Sequence, residues 1–243
     1  MERVVVFDFD DTLVVTTERF NYLRQSFCEY MQELGLYFPG LLEAVDRFDV
    51  ERVKKAGYFA AHCFPGALGD AYKYCCRLKG IDADPVLLEE VVRMGWSVYY
   101  EKPQLIAGAE LVLQELQKCF SLVLLTKGEE LIQRRRVRES GLEKYFARIV
   151  VTGDKDAALF KRVVEESAGN VEEAWSVGNS IRSDINPALA AGMQAIHFTG
   201  GCTWHFEEEE PRGSYYKADT LEEAAAILLR NVRSISCGEK TRS

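Results

Sequence analysis

Short apolar runs recur along the chain, and a helical pattern follows most of them. Near-continuous apolar strands that alternate with helices indicate a parallel sheet covered on both faces. The spacing therefore predicts an α/β fold. The predicted strands cover residues 3–9 (RVVVFDF), 120–126, 147–153, 174–180 and 194–200, and the predicted helices cover residues 129–140, 156–168, 185–191 and 221–230.

The stretch from residue 16 to about residue 106 contains no convincing strand. Segments 16–35, 66–80 and 84–102 have apolar residues at helical spacing. About ninety residues of helical pattern are too long for a connection between two neighbouring strands. We therefore predict an inserted helical domain, and the predicted division is 1–15 core, 16–105 helical insertion, 106–232 remainder of the core and 233–243 polar tail.

Composition narrows the class of protein. Of the 243 residues, 47% are hydrophobic and 28% are charged, which is ordinary for a soluble globular protein. The formal net charge of −8 disfavours nucleic acid and anionic membrane as partners, because both are bound mainly through positive surface. A small anionic substrate remains compatible, since a local group of cations is enough to bind it.

Location and thiol chemistry are predicted from the same sequence. No apolar run has the length of a membrane span, and Asp8 interrupts the N-terminal run too early for a signal peptide. The seven cysteines are odd in number and lack C-x-x-C spacing. We expect reduced thiols in a cytoplasmic protein. His62, His197 and His205 are too scattered for a zinc site, and we interpret them as structural.

Polar side chains follow four of the predicted strands. In an open parallel sheet, ligands bind beyond the carboxyl ends of the strands. These ends carry Asp8 and Asp10, then Thr126 and Lys127, then residues 154–156, and finally the segment GNSIRSD at 178–184. Carboxylates, a hydroxyl group and lysines are thus expected to converge on one edge.

Asp8 and Asp10 are expected to face one site, because alternate strand residues share a side and Asp11 faces the other way. Two such carboxylates suit Mg²⁺, which binds oxygen ligands together with water and substrate phosphate. One aspartate can attack phosphorus, and its neighbour can act as acid and base. A lysine and a hydroxyl group can hold the phosphoryl oxygens. The pattern is typical of phosphoryl transfer.

The same residues resemble the motifs of the haloacid dehalogenase-like superfamily. DFDDTL (8–13) is similar to its first motif, LVLLT ending at Thr126 to its second, Lys155 to the lysine of its third, and VGNSIRSDINPALAAGM (177–193) to its fourth. The resemblance covers residues 4–13 and about 122–198. It implies a Rossmann-like parallel sheet, a helical cap domain inserted after the first motif, and a phosphatase-like hydrolase.

The resemblance also implies roles for single residues. Asp8 would be the nucleophile and Asp10 the acid and base. Asp8, the Asp10 backbone carbonyl and Asp184 would hold Mg²⁺, with Asn179 as a further metal contact where many members have aspartate. The phosphate-binding residues would be Thr126 and Lys155. Lys127 is also predicted to bind phosphate, and Lys127 and Lys161 are nearby alternatives to Lys155.

Several polar residues are expected to be structural. Asp11 is interpreted as a turn residue. Arg134 to Arg136, with Arg138, are expected on the exposed side of a helix. The acidic run 207–210 is expected to be a solvated face, and Cys75 and Cys76 are expected to pack in a helical core.

The predicted function is Mg²⁺-dependent hydrolysis of a small phosphorylated metabolite through a phosphoaspartate at Asp8. A phosphomutase or phosphotransferase acting on a sugar phosphate would share these motifs. A 2-haloacid dehalogenase is disfavoured, because dehalogenases of the superfamily lack the second aspartate, here Asp10. A binding protein without catalysis is the third alternative, which only Asn179 favours. The sequence specifies neither the substrate nor the oligomeric state.

Overall fold

The computed structural model describes residues 2–238, with side chains described up to residue 231, and a six-stranded parallel sheet lies at its centre. The order across this sheet is β5-β4-β1-β6-β7-β8, and a separate antiparallel pair joins β2 to β3. The strands are β1 (Val4–Phe7), β2 (Val14–Val15), β3 (Gln104–Leu105), β4 (Ser121–Lys127), β5 (Arg148–Thr152), β6 (Trp175–Gly178), β7 (Gln194–Phe198) and β8 (Tyr216–Ala218).

Helices connect these strands. Four of them precede β3, and five follow it, in the part of the chain that the structure describes. They are α1 (Thr17–Glu33), α2 (Leu41–Ala56), α3 (Cys63–Lys79), α4 (Pro85–Tyr100), α5 (Ala109–Leu116), α6 (Glu130–Ser140), α7 (Ala157–Glu166), α8 (Asn186–Ala191) and α9 (Leu221–Gly238).

The sheet is buried on both faces, as the apolar strand pattern predicts. Val5 and Phe7 of β1 belong to a hydrophobic cluster with residues of α5, α6 and α9. Val4 and Val6 point the other way and belong to a cluster with residues of α7 and α8. The predicted α/β fold, a Rossmann-like parallel sheet covered by helices on both faces, is confirmed.

The first four helices have a hydrophobic cluster of their own. Leu23, Phe27 and Met31 of α1 pack there with residues of α2, α3 and α4. Two chain signals fix the start of α4: the Asp84 side chain accepts a hydrogen bond from the Val86 N–H at 2.7 Å, and Pro85 occupies the first turn. The boundaries of the inserted domain remain a prediction.

Three short strands differ from the sequence-based expectation. β3 lies inside the stretch expected to contain no strand, and β2 and β8 were not expected either. β2 and β3 have only two residues each, which is too short to show a period-2 pattern. β8 completes one edge of the sheet beside β7.

The C-terminal helix is longer than predicted. The apolar pattern ends near Arg230, yet α9 continues to Gly238, so much of the predicted polar tail is helical. The remaining tail residues, 239–243, lie outside the described residues. Within residues 2–238 no helix combines the length and the apolar character needed to cross a membrane.

Candidate active site

Three charged side chains meet at the carboxyl edge of the sheet, next to its central strand. Asp8 directly follows β1, Lys155 follows β5, and Asp184 lies in a short π-helical turn after β6. The Lys155 Nζ lies 2.7 Å from Asp8 Oδ1 and 2.7 Å from Asp184 Oδ1, and all three side chains are almost fully buried. The sequence predicted all three of these residues for one site, and the structure brings them together.

The charges of this cluster are mutually dependent. Burial raises the pKa of Asp8 to about 7, although Lys155 opposes the shift. Burial would lower the pKa of Lys155, but Asp184 and Asp8 outweigh it and raise that pKa. Lys155 therefore stays cationic between two carboxylates that would otherwise repel each other. Asp8 Oδ2 accepts a further hydrogen bond from Thr12 Oγ1 at 3.0 Å.

Asp10 faces the same cavity but has a separate set of partners. Its Oδ1 lies 2.6 Å from Arg136 Nη1 and accepts a 2.7 Å hydrogen bond from Thr16 Oγ1, and its Oδ2 accepts one from Gln133 Nε2 at 2.8 Å. Burial would raise the pKa of Asp10, but Arg136, Thr16 and Gln133 together lower it. The ionised form of Asp10 is thus favoured in this arrangement.

Arg136 corrects one sequence-based expectation. It lies in an arginine run expected on the exposed side of α6, and Arg134 and Arg138 are indeed exposed. Arg136 is buried instead, with its Nη1 also donating to Gln133 Oε1 at 2.8 Å. Gln133 and Arg136 are three residues apart and share a helix face, but the partner that buries Arg136, Asp10, lies 126 positions away in the chain.

Thr126 is connected to Asp10 through Gln133. The Gln133 amide donates to Thr126 Oγ1 at 2.7 Å and to Asp10 Oδ2. The Thr126 side chain is fully buried at the end of β4. Its hydroxyl proton is not used by the Gln133 bond, in which the hydroxyl oxygen accepts. The predicted phosphate-binding residue thus lies behind the cavity wall.

Asn179 and Asp184 lie in the segment that follows β6 and have different partners. The Asn179 amide donates to the Cys202 carbonyl at 2.9 Å, and its oxygen accepts from Thr12 Oγ1 at 3.3 Å. Asp184 Oδ2 accepts from the Ser180 backbone N–H at 3.0 Å. The Asn179 side chain is therefore already bonded to Thr12, in the turn after β1, and its predicted metal contact stays a prediction.

Lys127 lies at the cavity but is paired with an acidic residue. Its Nζ is 2.8 Å from Glu207 Oε1 and donates to Ser183 Oγ at 2.7 Å. In this structure the Lys127 charge faces Glu207, and the predicted phosphate contact of Lys127 stays a prediction. Lys161, the other nearby lysine, lies on the outer face of α7 beside Glu165.

Glu207 corrects the expectation of a solvated acidic run. Its side chain is 12% exposed, and its Oε2 accepts hydrogen bonds from both Ser180 Oγ and Ser183 Oγ. Burial would raise the pKa of Glu207, but Lys127 and the two serines lower it. The neighbours Glu208 and Glu210 are exposed, as expected.

Asp11 lies in a tight turn, in line with the sequence interpretation. Its φ is +58°, and its carboxylate accepts hydrogen bonds from the backbone N–H groups of Thr16 and Thr17 at 2.9 Å each. The structure thus uses Asp11 to fix the chain where it enters α1. Asp and Asn tolerate this left-handed backbone better than most residues.

A cavity of about 200 Å³ runs from these polar residues to the first four helices. Asp8, Asp10 and Asp184 lie in its wall at the sheet edge. The opposite wall comes from the helices and the loop after β7 and is largely aromatic, with Arg24 and Asp49 as charged residues. Its aromatic side chains are Phe20, Phe59, Phe64, Tyr99 and Trp204.

The donor set fits a hard divalent cation. Asp8 and Asp184 supply buried carboxylate oxygens to one cavity, and the raised pKa of Asp8 shows that nearby positive charge does not fully compensate its burial. Among the described residues, no group of three or more His, Cys, Asp or Glu side chains is arranged to enclose a metal ion. Two carboxylates completed by a backbone carbonyl and water match what Mg²⁺ accepts.

Comparison with known proteins agrees with this geometry. The family model for haloacid dehalogenase-like hydrolases matches residues 2–192. A glyceraldehyde 3-phosphate phosphatase of Pyrococcus abyssi (strain GE5 / Orsay) is 25% identical over 207 residues, covering 83% of each chain. A haloacid dehalogenase-like family hydrolase from Xanthomonas campestris shares the fold with a TM-score of 0.76 at 22% identity, over 94% of this chain and 95% of that one.

A further solved structure shares the fold at lower similarity. The putative HAD-hydrolase YfnB of Bacillus subtilis, bound to magnesium, has a TM-score of 0.64 at 22% identity, over 93% of this chain and 98% of that one. Fold and site together define a Rossmann-like α/β enzyme with an aspartate at the centre of its site. The chain belongs to the haloacid dehalogenase-like hydrolases. The expectation of a phosphoric monoester hydrolase is confirmed at the level of this family.

Proposed function

We propose that the protein is an Mg²⁺-dependent phosphatase that hydrolyses a small phosphorylated metabolite through a phosphoaspartate at Asp8. The observation that carries the proposal is the buried Asp8–Lys155–Asp184 cluster, with 2.7 Å contacts on both sides of the lysine. An aspartate held beside a cation at the open edge of a sheet is suited to attack phosphorus. The resemblance to a phosphatase of Pyrococcus abyssi supports the same class of reaction.

The chain's own residues have distinct parts in the proposed reaction. An Asp8 carboxylate oxygen forms a bond to phosphorus while the bond to the leaving oxygen breaks, and Asp10 donates a proton to that oxygen. Water then attacks the phosphoaspartate, gives a proton to Asp10 and releases phosphate and the free Asp8 carboxylate. Lys155 remains protonated throughout and offsets negative charge on the phosphoryl oxygens.

Asp10 must change its contacts during this cycle. Its present partners, Arg136, Thr16 and Gln133, favour the carboxylate, which is the form that accepts a proton from water. Proton donation to the leaving group requires the acid form. Loosening of the Arg136 contact therefore accompanies proton uptake. Thr126 is proposed to contribute its hydroxyl proton to the phosphoryl site.

Mg²⁺ would be held by Asp8, Asp184 and the backbone carbonyl of Asp10, and Asn179 is proposed as an additional contact, direct or through water. When bound, the ion supplies positive charge to the transferring phosphoryl group. The magnesium-bound YfnB structure supports this choice of metal. We place the protein in the cytoplasm, where the six cysteines whose side chains are described would remain free thiols.

The test is turnover of p-nitrophenyl phosphate with Mg²⁺ by wild type and Asp8→Asn. We expect the variant to lose at least about 1000-fold in kcat, because position 8 no longer supplies a carboxylate to attack phosphorus. Asp82→Asn, an exposed change in the loop between α3 and α4, is the matched control. Folded Asp8→Asn protein with undiminished turnover would overturn the proposal. Isomerised sugar phosphate with little free phosphate would instead indicate a mutase.

A further inference from the structure

A buried ion pair lies in the cavity wall away from the proposed nucleophile. Arg24 of α1 and Asp49 of α2 are 3.0 Å apart between Nη2 and Oδ2, and each side chain is 7% exposed. Both line the cavity that contains Asp8. No step of the proposed hydrolysis uses either residue. A buried ion pair is weak evidence for stability, because the loss of hydration offsets much of the attraction.

Helix α1 connects Arg24 to the residues that hold Asp10. Helix α1 begins at Thr17, next to Thr16, whose hydroxyl is bonded to Asp10. Arg24 is seven residues further along, which is roughly 10 Å at 1.5 Å per residue. The Arg24 backbone is thus about two helical turns from the start of α1, and its side chain lines the same cavity as Asp10.

The hydrogen-bonding capacity of the pair is only partly used. Arg24 Nη1 donates to Asn21 Oδ1 and its Nη2 to Asp49 Oδ2, while the buried Nε has no partner among the described residues. The Asp49 hydrogen bonds in the described part of the chain involve Oδ2 alone. Donors on Arg24 and an acceptor, Asp49 Oδ1, therefore lie side by side.

The two opposite charges of the pair decide which kind of substrate group fits beside it. A substrate carboxylate would be repelled by Asp49, and a substrate ammonium group by Arg24. A hydroxyl group avoids both penalties, since it can donate to Asp49 and accept from Arg24. Two neighbouring hydroxyl groups would use the pair fully.

The aromatic wall favours an aliphatic skeleton over a planar base. Phe20 meets Phe64 at 77° and Tyr99 at 76°, so these rings are edge-to-face and offer no parallel slot for stacking. The Arg24 guanidinium covers the Phe64 ring at 5.2 Å. Such a wall contacts C–H groups while the charged pair binds the hydroxyl groups.

We propose that the Arg24–Asp49 pair recognises hydroxyl groups on the carbon skeleton of the substrate, which makes neutral polyhydroxylated phosphate esters the substrate class. This inference rests on the proposed phosphatase function. Arg24 and Asp49 act on substrate choice and take no part in the transfer of the phosphoryl group.

The first test compares substrates on wild-type protein. We expect kcat/KM for sorbitol 6-phosphate to exceed that for hexyl phosphate at least about 100-fold, because hexyl phosphate leaves the buried pair without partners. We also expect it to exceed the values for 6-phosphogluconate and uridine 5′-monophosphate. Equal or greater kcat/KM with any of these three esters would overturn the inference.

The second test changes the pair itself. The double variant Arg24→Met, Asp49→Leu replaces it with apolar side chains, which avoids leaving one buried charge alone. We expect the ratio of kcat/KM for sorbitol 6-phosphate to that for p-nitrophenyl phosphate to fall at least about 30-fold. Arg77→Met, an exposed change on α3, is the control and should keep the ratio.

The outcomes separate the two proposals. A purely structural pair would lower the melting temperature and the turnover of both esters together, so an unchanged ratio would overturn the inference. Asp49→Asn, which keeps the shape of the side chain, gives the same readout if the double variant does not fold. Failure of Asp8-dependent turnover of p-nitrophenyl phosphate in wild type would overturn the proposed function itself.

Discussion

Gly178, the last residue of β6, lies in very close contact with the Asp184 side chain. A Cβ atom at this position would lie 2.3 Å from Asp184 Cγ and 2.3 Å from Asp184 Oδ2. Real contacts of this kind are essentially absent, so only the hydrogen of glycine fits. The end of β6 thereby allows Asp184 to approach the sheet edge and reach Lys155. The glycine is needed for this close approach and not for an unusual backbone angle.

Gly178→Ala should displace Asp184 and uncouple it from Lys155. We expect kcat/KM on an aryl phosphate to fall about 100-fold, since misplaced site groups cost about that much. Overpacking should lower the unfolding free energy by about 1–3 kcal/mol. Steady-state kinetics and thermal melting measure the two effects. Gly213→Ala, which meets only the end of the Leu189 side chain at 3.3 Å, is the control; wild-type kinetics in the Gly178 variant would contradict the prediction.

Asp49 should make the protein less stable as pH rises. Burial raises its pKa from 3.8 to about 6, although Arg24 opposes the shift. A carboxyl group with a raised pKa binds more protons in the folded state, so its contribution is largest below the unfolded pKa and is lost as pH rises through about 6. The unfolding free energy of wild type minus that of Asp49→Asn should fall by roughly 2 kcal/mol from pH 4 to 7.

Urea unfolding of both proteins across this range measures the difference. Other titrating groups are common to the two proteins and cancel in the subtraction. A difference that grows with pH would show that the attraction of Arg24 outweighs the burial of Asp49. That result would contradict the predicted sign.

The sequence alone was enough to predict those site residues that directly follow the ends of strands. Asp8, Lys155 and Asp184 follow strand ends, and the parallel topology brings such ends together. Arg136 and Glu207 lie in charged runs that are typical of solvated surface. Their burial depends on contacts with residues more than seventy positions away, Asp10 and Lys127 respectively, which no local pattern indicates.

The packing of α3 on α4 depends on small residues at the contact. A Cβ atom at Gly95 of α4 would lie 2.5 Å from the backbone Cα of Pro65 in α3. Backbone atoms cannot move aside as the end of a side chain can. The two helices can therefore lie this close only because position 95 has no side chain.

Gly95→Ala should push α3 and α4 apart. Overpacking should lower the unfolding free energy by about 1–3 kcal/mol. The higher helix propensity of alanine should raise it by up to about 1 kcal/mol. We expect a net loss of about 1–2 kcal/mol in unfolding free energy, measured by urea denaturation. Ser97→Ala on the same helix, which removes only the local bond to the Met94 carbonyl, is the control. A more stable Gly95→Ala protein would show that α3 and α4 can accommodate a methyl group at position 95, which would contradict the prediction.

The sequence predicted the longer strands, whereas the two-residue strands could not be predicted from it. The five long apolar runs correspond to β1, β4, β5, β6 and β7 with ends that differ by at most a few residues. β2 and β3 form because Val14 and Val15 pair with Leu105 and Gln104 across the ends of the helical stretch. Such a pairing is set by tertiary structure, so a two-residue strand has no signal of its own.

At the scale of the whole molecule, the loop between β7 and β8 joins the sheet to the first four helices. Trp204 Nε1 donates to Asp46 Oδ1 of α2 at 3.0 Å, and the Trp204 and Phe206 rings pack around Phe59. The same loop sends Glu207 to Lys127 at the end of β4. Lys127 Nζ also lies 4.4 Å from the centre of the Phe59 ring. One loop therefore contacts both hydrophobic units beside the cavity.

Removing the Glu207 charge should loosen this connection. Glu207→Gln keeps hydrogen-bonding atoms near Ser180 and Ser183 but loses the charge that Lys127 faces, so we expect the unfolding free energy at pH 7 to fall by about 1–3 kcal/mol. The lowered pKa of Glu207 fixes the sign of the pH dependence: its contribution is present above the unfolded pKa of 4.5 and is lost as pH falls through its lower folded value. Urea unfolding of both proteins from pH 7 downwards should show the difference shrinking, opposite in direction to the Asp49 difference.

A double-mutant cycle separates the ion pair from the packing of the loop. If the pair joins the loop to β4, Lys127→Met and Glu207→Gln should show a coupling free energy of about 1–2 kcal/mol, because each single variant leaves the other partner uncompensated. Glu208→Gln, an exposed neighbour, is the control and should show no coupling to Lys127. Additive single effects would mean that the aromatic contacts of Trp204 and Phe206 alone hold the loop. Coupling would identify Lys127 as a residue that fixes this loop over the cavity.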